Sequence, residues 1–360
     1  MIIGLAARLG YRLICQRQSV ENEHALKEGP VKFRLSSFVA AACVATFSMA
    51  GVVGHAVAQA WPSRHISMIV PFAAGSSSDA VGRIMAQRMS ELLGQQIVVE
   101  NVGGAGGMVG SARVARSEPN GYTILLGSTD TLAQNQSLYK NPQYNPITDF
   151  APVALVGDMA LILVARNTLP VNNLKEFAAY VKENGKKMQF GSSSLGSSSH
   201  LTCSQLTQAI GGEAAHVPYR GSGPALQDMI AGQIDYFCSL APAAMPIVDN
   251  KQIKLVAVLT KARSPFAPSV PTAFEEGFKI DSYAWFAFAA PKATPADIVA
   301  KINKATVDAL DTPWVQDRFQ KLSVNGAAKE QRSAEWLGKF IEKEVADWAV
   351  VIKASGVVLN

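Results

Sequence analysis

Four short loops rich in serine, glycine and threonine are the segments of this sequence best suited to chemistry. They cover residues 75–79, 127–130, 191–199 and 221–223. Each lies between a β-rich run and a helical pattern, where free backbone N–H groups and the positive end of the helix dipole attract anions. Ordinary helix capping explains any one loop better, because Ser, Thr and Asp are favoured at helix starts. Their repetition at equivalent positions predicts a carboxylate or phosphate site.

Catalytic alternatives find less support in the residue pattern. A serine-hydrolase elbow has the pattern Gly-x-Ser-x-Gly, but the segment that begins at Gly191 has Leu195 in fifth place. His65, His200 and His216 lack the spacing of metal ligands. A histidine at a loop-to-helix junction, like His200, is typical of a structural hydrogen-bonding residue. We therefore expect neither a catalytic serine nor a metal.

Cofactor and charge motifs are also weak. Residues 104–109 lack the third glycine of a dinucleotide fingerprint, and no Walker loop is present, so no cofactor is expected. Arg220 has two open interpretations, pairing with an anion or a solvated position on the surface.

Two sets of alternating strands and helices position the loops, the pattern of an α/β fold with ligands at the carboxyl ends of its strands. The predicted strands are 65–70, 96–100, 122–126, 188–190, 214–217 and 234–238. Segments near 151–165 and 283–290 are expected to cross between two lobes. The chain from Pro295 is predicted to be helical, with aromatic residues that pack the helices: Trp314, Phe319, Trp336, Phe340 and Trp348.

The whole chain is long enough for two lobes and too balanced in charge to bind nucleic acid. It has 360 residues, of which 48% are hydrophobic and 17% charged, so it can bury a sizeable core. Its formal net charge is +5, but residues 1–58 hold six bases and three acids, which leaves 27 bases and 25 acids. These charges are scattered, whereas nucleic-acid binding needs a concentrated basic surface.

An export signal is predicted within the first 60 residues. Lys32 and Arg34 precede an uncharged apolar run that ends in the small-x-small pattern Ala56-Val57-Ala58. Cleavage is expected after Ala58 or Ala60, and an uncleaved membrane anchor is the alternative interpretation. Beyond that point only Cys203 and Cys238 remain of four cysteines, too few for a disulfide scaffold. A bond between them and two separate buried thiols are both open.

A set of motifs spread over the chain resembles one protein family. The motifs cover residues 71–79, 99–101, 104–107, 121–127, 191–200, 216–222, 285–286 and 290–291. Together they closely resemble the Bug family, the extracytoplasmic receptors of tripartite tricarboxylate transporters, from about Trp61 to near the C-terminus. The resemblance implies a type II periplasmic-binding-protein fold, in which two α/β lobes hold a carboxylated ligand in the cleft between them. Lobe 1 would comprise 61–162 and 285–360, and lobe 2 would comprise 163–284, after an N-terminal extension and signal peptide at 1–60.

The resemblance also implies ligand-binding residues on both lobes, which contribute backbone amides and hydroxyls rather than a salt bridge. In lobe 1 these are Phe72, Ala74, Ser76, Ser77, Ser78, Asp79, Ser128 and Thr129. In lobe 2 they are Ser192, Ser194, Gly196, Ser197, Ser198, Tyr219 and Ser239.

The sequence departs from the family pattern in three places. Ser76 stands where a second glycine is usual, Ser194 and Leu195 where glycine and a polar residue are common, and Ser239 where an acid is frequent. Together they predict a pocket whose far end is less acidic and more apolar.

The implied function is that of a non-enzymatic periplasmic receptor. It would capture a small mono- or dicarboxylate, aromatic ones included, and deliver it as a monomer to membrane permease subunits. A secreted α/β hydrolase or transferase that uses the serine loops is the alternative, and it requires a base hydrogen-bonded to one serine. A ligand sensor for a kinase is a third interpretation.

Overall fold

The alternation of strands and helices predicted from the sequence is present in the structure, a computed structural model that describes residues 60–360. The predicted signal peptide lies outside the described residues apart from Ala60. No helix within the described range is long and apolar enough to cross a membrane.

The described chain contains ten strands and ten α-helices. The strands are β1 (Ile66–Val70), β2 (Ile97–Asn101), β3 (Thr123–Ser128), β4 (Phe150–Arg166), β5 (Gln189–Ser192), β6 (Ala215–Pro218), β7 (Tyr236–Leu240), β8 (Ile253–Val258), β9 (Tyr283–Pro291) and β10 (Asn325–Gly326). The helices are α1 (Ser77–Leu93), α2 (Met108–Ala115), α3 (Asn135–Leu138), α4 (Leu174–Asn184), α5 (Ser198–Ile210), α6 (Ser222–Ile230), α7 (Ala241–Asp249), α8 (Ala296–Leu310), α9 (Pro313–Lys321) and α10 (Ala334–Ser355). All six predicted strands are confirmed within two residues at each end.

Two parallel triplets of strands repeat one construction. The sheet order is β2-β1-β3-β9-β4-β7-β5-β6, with β8 and β10 also paired to β4. Strands β2, β1 and β3 are parallel, as are β7, β5 and β6. Because parallel strands end at the same edge, the loops that follow β1 and β3 share one edge, and those that follow β5, β6 and β7 share another.

The two long strands join the triplets by antiparallel pairing, as the predicted crossing segments require. The first part of β4 pairs with β9 from Phe150 to Ala160. From Leu161 onward β4 pairs instead with β7 and β8. A single 17-residue strand therefore belongs to both halves of the sheet.

Separate apolar cores form on the two halves. One contains the side chains of β1, β3 and the first part of β4, and the predicted C-terminal aromatic residues pack there, with Phe319 buried and Trp314, Trp336, Phe340 and Trp348 partly buried. The other half has a core on each face of its sheet. The first of these contains Cys203 of α5 and Cys238 of β7, which form a disulfide. Of the two possibilities left open by the sequence, a disulfide or two separate thiols, the structure shows the disulfide.

Candidate functional site

The 75–79 loop is held by Asp79 and caps helix α1. The Ser76 hydroxyl accepts a hydrogen bond from the Asp79 N–H (3.2 Å), as an N-cap does. Gly75, whose φ of 80° favours glycine, donates its N–H to Asp79 Oδ2 at 2.8 Å. Asn101 Nδ2 donates to the other carboxylate oxygen at 3.0 Å. Asp79 therefore binds the loop itself.

The environment of Asp79 keeps it ionised. Burial acts to raise its pKa, but hydrogen bonds from Arg83, Gly75 and Asn101 and the charge of Arg83 outweigh burial and hold the pKa below its ordinary value. A buried carboxylate with three donors is a rigid anchor rather than a free acceptor. The N–H of Gly75 is consumed by this anchor and is not available to an anion.

The other predicted ligand-binding residues of this loop differ in solvent exposure. Ala74 is exposed, Phe72, Ser76 and Ser77 are half-buried, and Ser78 is buried in the first turn of α1. The N–H groups and hydroxyls of Ser77 and Ser78 thus lie at the positive end of a 17-residue helix.

The 127–130 loop follows β3 and leads into a turn of π-helix at Asp130–Gln134. Ser128 and Thr129 are both buried. The Thr129 hydroxyl accepts the backbone N–H of Trp285 in β9 at 2.8 Å, which anchors the loop to the sheet. The Ser128 N–H donates to Thr131 Oγ1 at 2.9 Å. Part of the hydrogen-bonding capacity of Ser128 and Thr129 is therefore used within the protein.

The 191–199 loop is built around Ser192, Ser194 and Ser197. The Ser192 hydroxyl donates to the Ser194 carbonyl at 2.9 Å, and the Ser197 hydroxyl donates to the same oxygen at 2.8 Å. Ser197 is also the N-cap of α5. Leu195, next to Ser194 in this loop, is exposed.

A stacked pair of histidines is hydrogen-bonded to this loop. The rings of His200 and His216 lie 3.7 Å apart between centroids. His200 Nδ1 accepts the Gly196 N–H at 3.1 Å, and His216 Nε2 lies 2.6 Å from Ser192 Oγ. Burial lowers the pKa of each ring to about 4, with the neighbouring His200 adding to the shift of His216. Both rings are neutral at pH 7, and the structural role predicted for His200 is confirmed.

The contact between His216 and Ser192 is a hydrogen bond between a base and a serine, which the hydrolase alternative requires. The geometry nevertheless indicates that Ser192 stabilises the loop and does not act as a nucleophile. Ser192 is fully buried and directs its proton at the Ser194 carbonyl, so His216 is the donor in this pair. A histidine with a pKa of about 4 is also a weak general base at neutral pH.

A cross-connection joins the 127–130 and 191–199 loops. The Ser198 hydroxyl donates to Asp130 Oδ1 at 2.9 Å, and Gln134 Oε1 lies 3.4 Å from the same hydroxyl. Burial raises the pKa of Asp130. Neither Asp130 nor Gln134 was among the predicted site residues, because only the tertiary structure brings them against Ser198. The structure therefore places two of the predicted anion-binding loops next to each other.

The last two predicted contacts are satisfied locally. The Tyr219 hydroxyl donates to Asp228 Oδ2 at 2.8 Å, and burial together with Asp228 raises the pKa of Tyr219 to about 12. Ser239 is buried in β7 and donates to the Leu240 carbonyl at 3.0 Å. Arg220 is exposed. Among residues 60–360 no group of His, Cys, Asp and Glu is arranged to hold a metal.

This arrangement of sheets and loops is that of a type II periplasmic binding protein, and solved structures agree. The periplasmic binding protein BugD has a TM-score of 0.75 and 37% identity, over 83% of this chain and 99% of its own. MatC from Rhodopseudomonas palustris, solved with malate, has a TM-score of 0.74 and 35% identity over 81% and 100%. A further R. palustris protein, solved with adipate, has a TM-score of 0.76 and 30% identity over 83% and 99%.

The sequence matches define the family more narrowly. Residues 81–357 match the tripartite tricarboxylate transporter family receptor, and the chain belongs to that family. A UPF0065 protein from the TAR-I ttuE-ttuC' intergenic region of Agrobacterium vitis is 39% identical, over 83% of this chain and 88% of its own. Protein BugT of Bordetella pertussis is 33% identical over 86% and 95%. The resemblance to the Bug family is confirmed.

Proposed function

We propose that this receptor captures a small mono- or dicarboxylate in the periplasm and delivers it to the membrane permease subunits of a tripartite transporter. The observation that carries the proposal is the contact between the 127–130 loop and the 191–199 loop through Ser198. Loops from two separate parallel triplets meet there, and each ends a strand before a helical turn. The related structures solved with malate and adipate support a carboxylate as the ligand class.

The proposed contacts are the amides and hydroxyls at the starts of α1 and α5, with Ser77 and Ser78 foremost, whereas the Ser198 hydroxyl already donates to Asp130. Asp79, Thr129 and Ser192 complete the site as residues that fix the loops, since their polar atoms already bind protein groups. Tyr219 and Ser239 are proposed to line the pocket by van der Waals contact, since both hydroxyls donate to protein groups. A ligand held in this way shares its charge among dipoles and hydrogen bonds.

Two lobes with a cleft between them complete the proposal. We place lobe 1 at 61–162 with 285–360 and lobe 2 at 163–284. The change of partner in β4 after Ala160 and the separate apolar cores support these bounds. Export by cleavage of the first 58 to 60 residues, and action as a monomer without enzymatic activity, belong to the same proposal.

A thermal-shift screen of the purified mature protein against a carboxylate library tests the ligand class. A ligand present at 100 times its dissociation constant should raise the free energy of unfolding by about 2.7 kcal/mol. Matched amides of each hit serve as controls, because they keep the shape and lose the charge. Stabilisation by the amides as strong as by the acids would argue against an anion site.

One variant distinguishes a receptor from the hydrolase alternative. Ser192→Ala removes the hydroxyl that contacts His216. A receptor shows no turnover of esters or amides with or without this hydroxyl, whereas a hydrolase shows turnover that the variant abolishes. N-terminal sequencing of the protein recovered from the periplasm tests the export site in the same preparation.

A further inference from the structure

Residues 356–360 form a tail that returns from α10 to the segment that follows α3. Gly356 is the C-cap of α10. Beyond it the Leu359 N–H donates to the Leu138 carbonyl at 2.7 Å, and the Lys140 N–H donates to the Leu359 carbonyl at 3.0 Å. The tail is therefore paired by its backbone with proposed lobe 1.

The apolar side of this tail contacts the 191–199 loop, which belongs to proposed lobe 2. A Cβ atom at Gly196 would lie 2.6 Å from Leu138 Cδ2 and 3.1 Å from Leu359 Cδ1, so both leucines contact the glycine directly. Gly196 is buried at this point and has a φ of 77°. Glycine combines such a left-handed backbone with room for two leucine side chains. The contact therefore gives Gly196 a role that does not involve a ligand.

A small apolar cluster extends the same contact. Leu138, Leu201 of α5 and Ile352 of α10 are buried in it, and Val357 and Leu359 of the tail pack against them. Leu201 belongs to proposed lobe 2, whereas the other four residues belong to proposed lobe 1. The tail thus takes part in an apolar contact between the two proposed lobes.

The contacts of the tail with the two proposed lobes differ in kind. Among residues 60–360 its hydrogen bonds, including that from Lys140 Nζ to Asn360 Oδ1, are all made within proposed lobe 1. Toward Gly196 and Leu201 the contact is apolar. Separation of apolar surfaces leaves no donor or acceptor unpaired, whereas separation of hydrogen-bonded groups does. This contact can therefore open and close while the tail stays bound to lobe 1.

We propose that Leu359 is a latch, which holds the 191–199 loop against proposed lobe 1 and favours the closed arrangement before any ligand binds. Burial of apolar side chains stabilises the arrangement that brings them together, so loss of the latch shifts the equilibrium toward an open arrangement. This inference rests on the two-lobe division of the proposed function and not on its ligand class.

Distances between the proposed lobes in the ligand-free mature protein test the latch. Gln87→Cys on α1 and Lys182→Cys on α4, both at exposed positions, carry spin labels, and pulsed electron paramagnetic resonance gives the distribution of distances. Cys203 and Cys238 are bonded to each other and take no label. The labelled protein should populate the closed separation. Leu359→Ala should lower the ratio of closed to open molecules about 3- to 10-fold, as for loss of a half-buried aliphatic side chain.

Two further variants isolate the apolar contact. Val358→Ala is the matched control, because Val358 is the adjacent apolar residue and is 58% exposed. It should leave the distribution of distances unchanged. Leu359→Met should also retain the closed population, since methionine keeps the apolar character and nearly the volume of leucine. Thermal melting checks that each variant is folded.

The outcomes separate the latch from the proposed function. Unchanged distances in Leu359→Ala, an equal shift in Val358→Ala, or a ligand-free protein that is already open would each overturn the latch. Opening in Leu359→Met as large as in Leu359→Ala would overturn it as well, because apolar contact would then not hold the loop. Absence of carboxylate binding in the library screen would overturn the proposed ligand class and leave the latch standing.

Discussion

Ser78 and Arg220 distinguish two ways of holding a carboxylate. Ser78 is buried in the first turn of α1, whereas Arg220 is exposed beyond β6. We expect Ser78→Ala to weaken carboxylate binding about 10- to 150-fold, since a hydrogen bond to a charged group contributes about 1.5–3 kcal/mol. Arg220→Ala should cost about 0–1 kcal/mol, as exposed ion pairs do. Calorimetry on both folded variants decides, and the reverse ranking would indicate a salt bridge.

The histidine pair gives the stability a defined pH dependence. Both imidazoles have folded-state pKa values of about 4, below the ordinary 6.5, so the unfolded chain binds more protons between these values. The stabilisation is fully present above pH 6.5 and is lost as the pH falls toward 4.

Urea unfolding at a series of pH values measures this dependence. The loss should be on the order of 1 kcal/mol per pH unit for the buried His200 and smaller for His216, which is half-buried and therefore partly screened by solvent. His216→Gln should reduce the slope, while His65→Gln, at an exposed position, is the control. Equal slopes for wild type and His216→Gln would show that the pair does not govern the acid response.

At the scale of elements, α10 is fastened to the sheet by a buried acid. Glu344 accepts the Trp285 indole N–H of β9 at 2.7 Å and the Trp348 indole N–H at 3.3 Å. Burial raises the pKa of Glu344, although the two indoles act to lower it. This contact connects the C-terminal helix to the strand whose Trp285 N–H also holds Thr129.

We expect Glu344→Ala to lower the free energy of unfolding by about 1–3 kcal/mol, because the fully buried Trp285 indole loses its acceptor. Glu342→Ala, exposed on the same helix, should change it by less than about 0.5 kcal/mol. Chemical denaturation of both variants provides the measurement. A similar small change in both would mean that α10 is held by its apolar contacts alone.

At the scale of the whole molecule, the proposed lobes should close around the ligand. The two halves of the sheet are joined through β4 and β9, which leaves bending near Ala160 and Tyr283 as the simplest motion. X-ray scattering should therefore show a smaller radius of gyration with a saturating ligand than without it. The amide analogue of the ligand is the control, and identical curves in all three samples would contradict closure.

Much of the fold was determined locally and could be predicted. Strand and helix positions follow from short-range patterns: β-rich runs, serine caps and left-handed glycines each act within a few residues. The crossing segments were also foreseen, since 151–165 and 283–290 lie within one residue of β4 and β9 at each end. The family motifs could also be recognised from the sequence, because the loops that follow the strands are short segments of characteristic Ser and Gly composition.

The sequence by itself determined the elements, the serine loops and the family, because those depend on residues close together along the chain. Only the tertiary structure decided which loop meets which. Asp130 lies 68 positions from Ser198, and Thr129 lies 156 from Trp285, yet each pair is hydrogen-bonded. Whether a polar atom is free for a ligand or already satisfied depends on such distant partners, since a buried donor or acceptor binds whatever the fold brings to it. For that reason Asp79 and Ser192 could be located from the sequence, but the hydrogen bonds by which they stabilise their own loops could not be predicted from it.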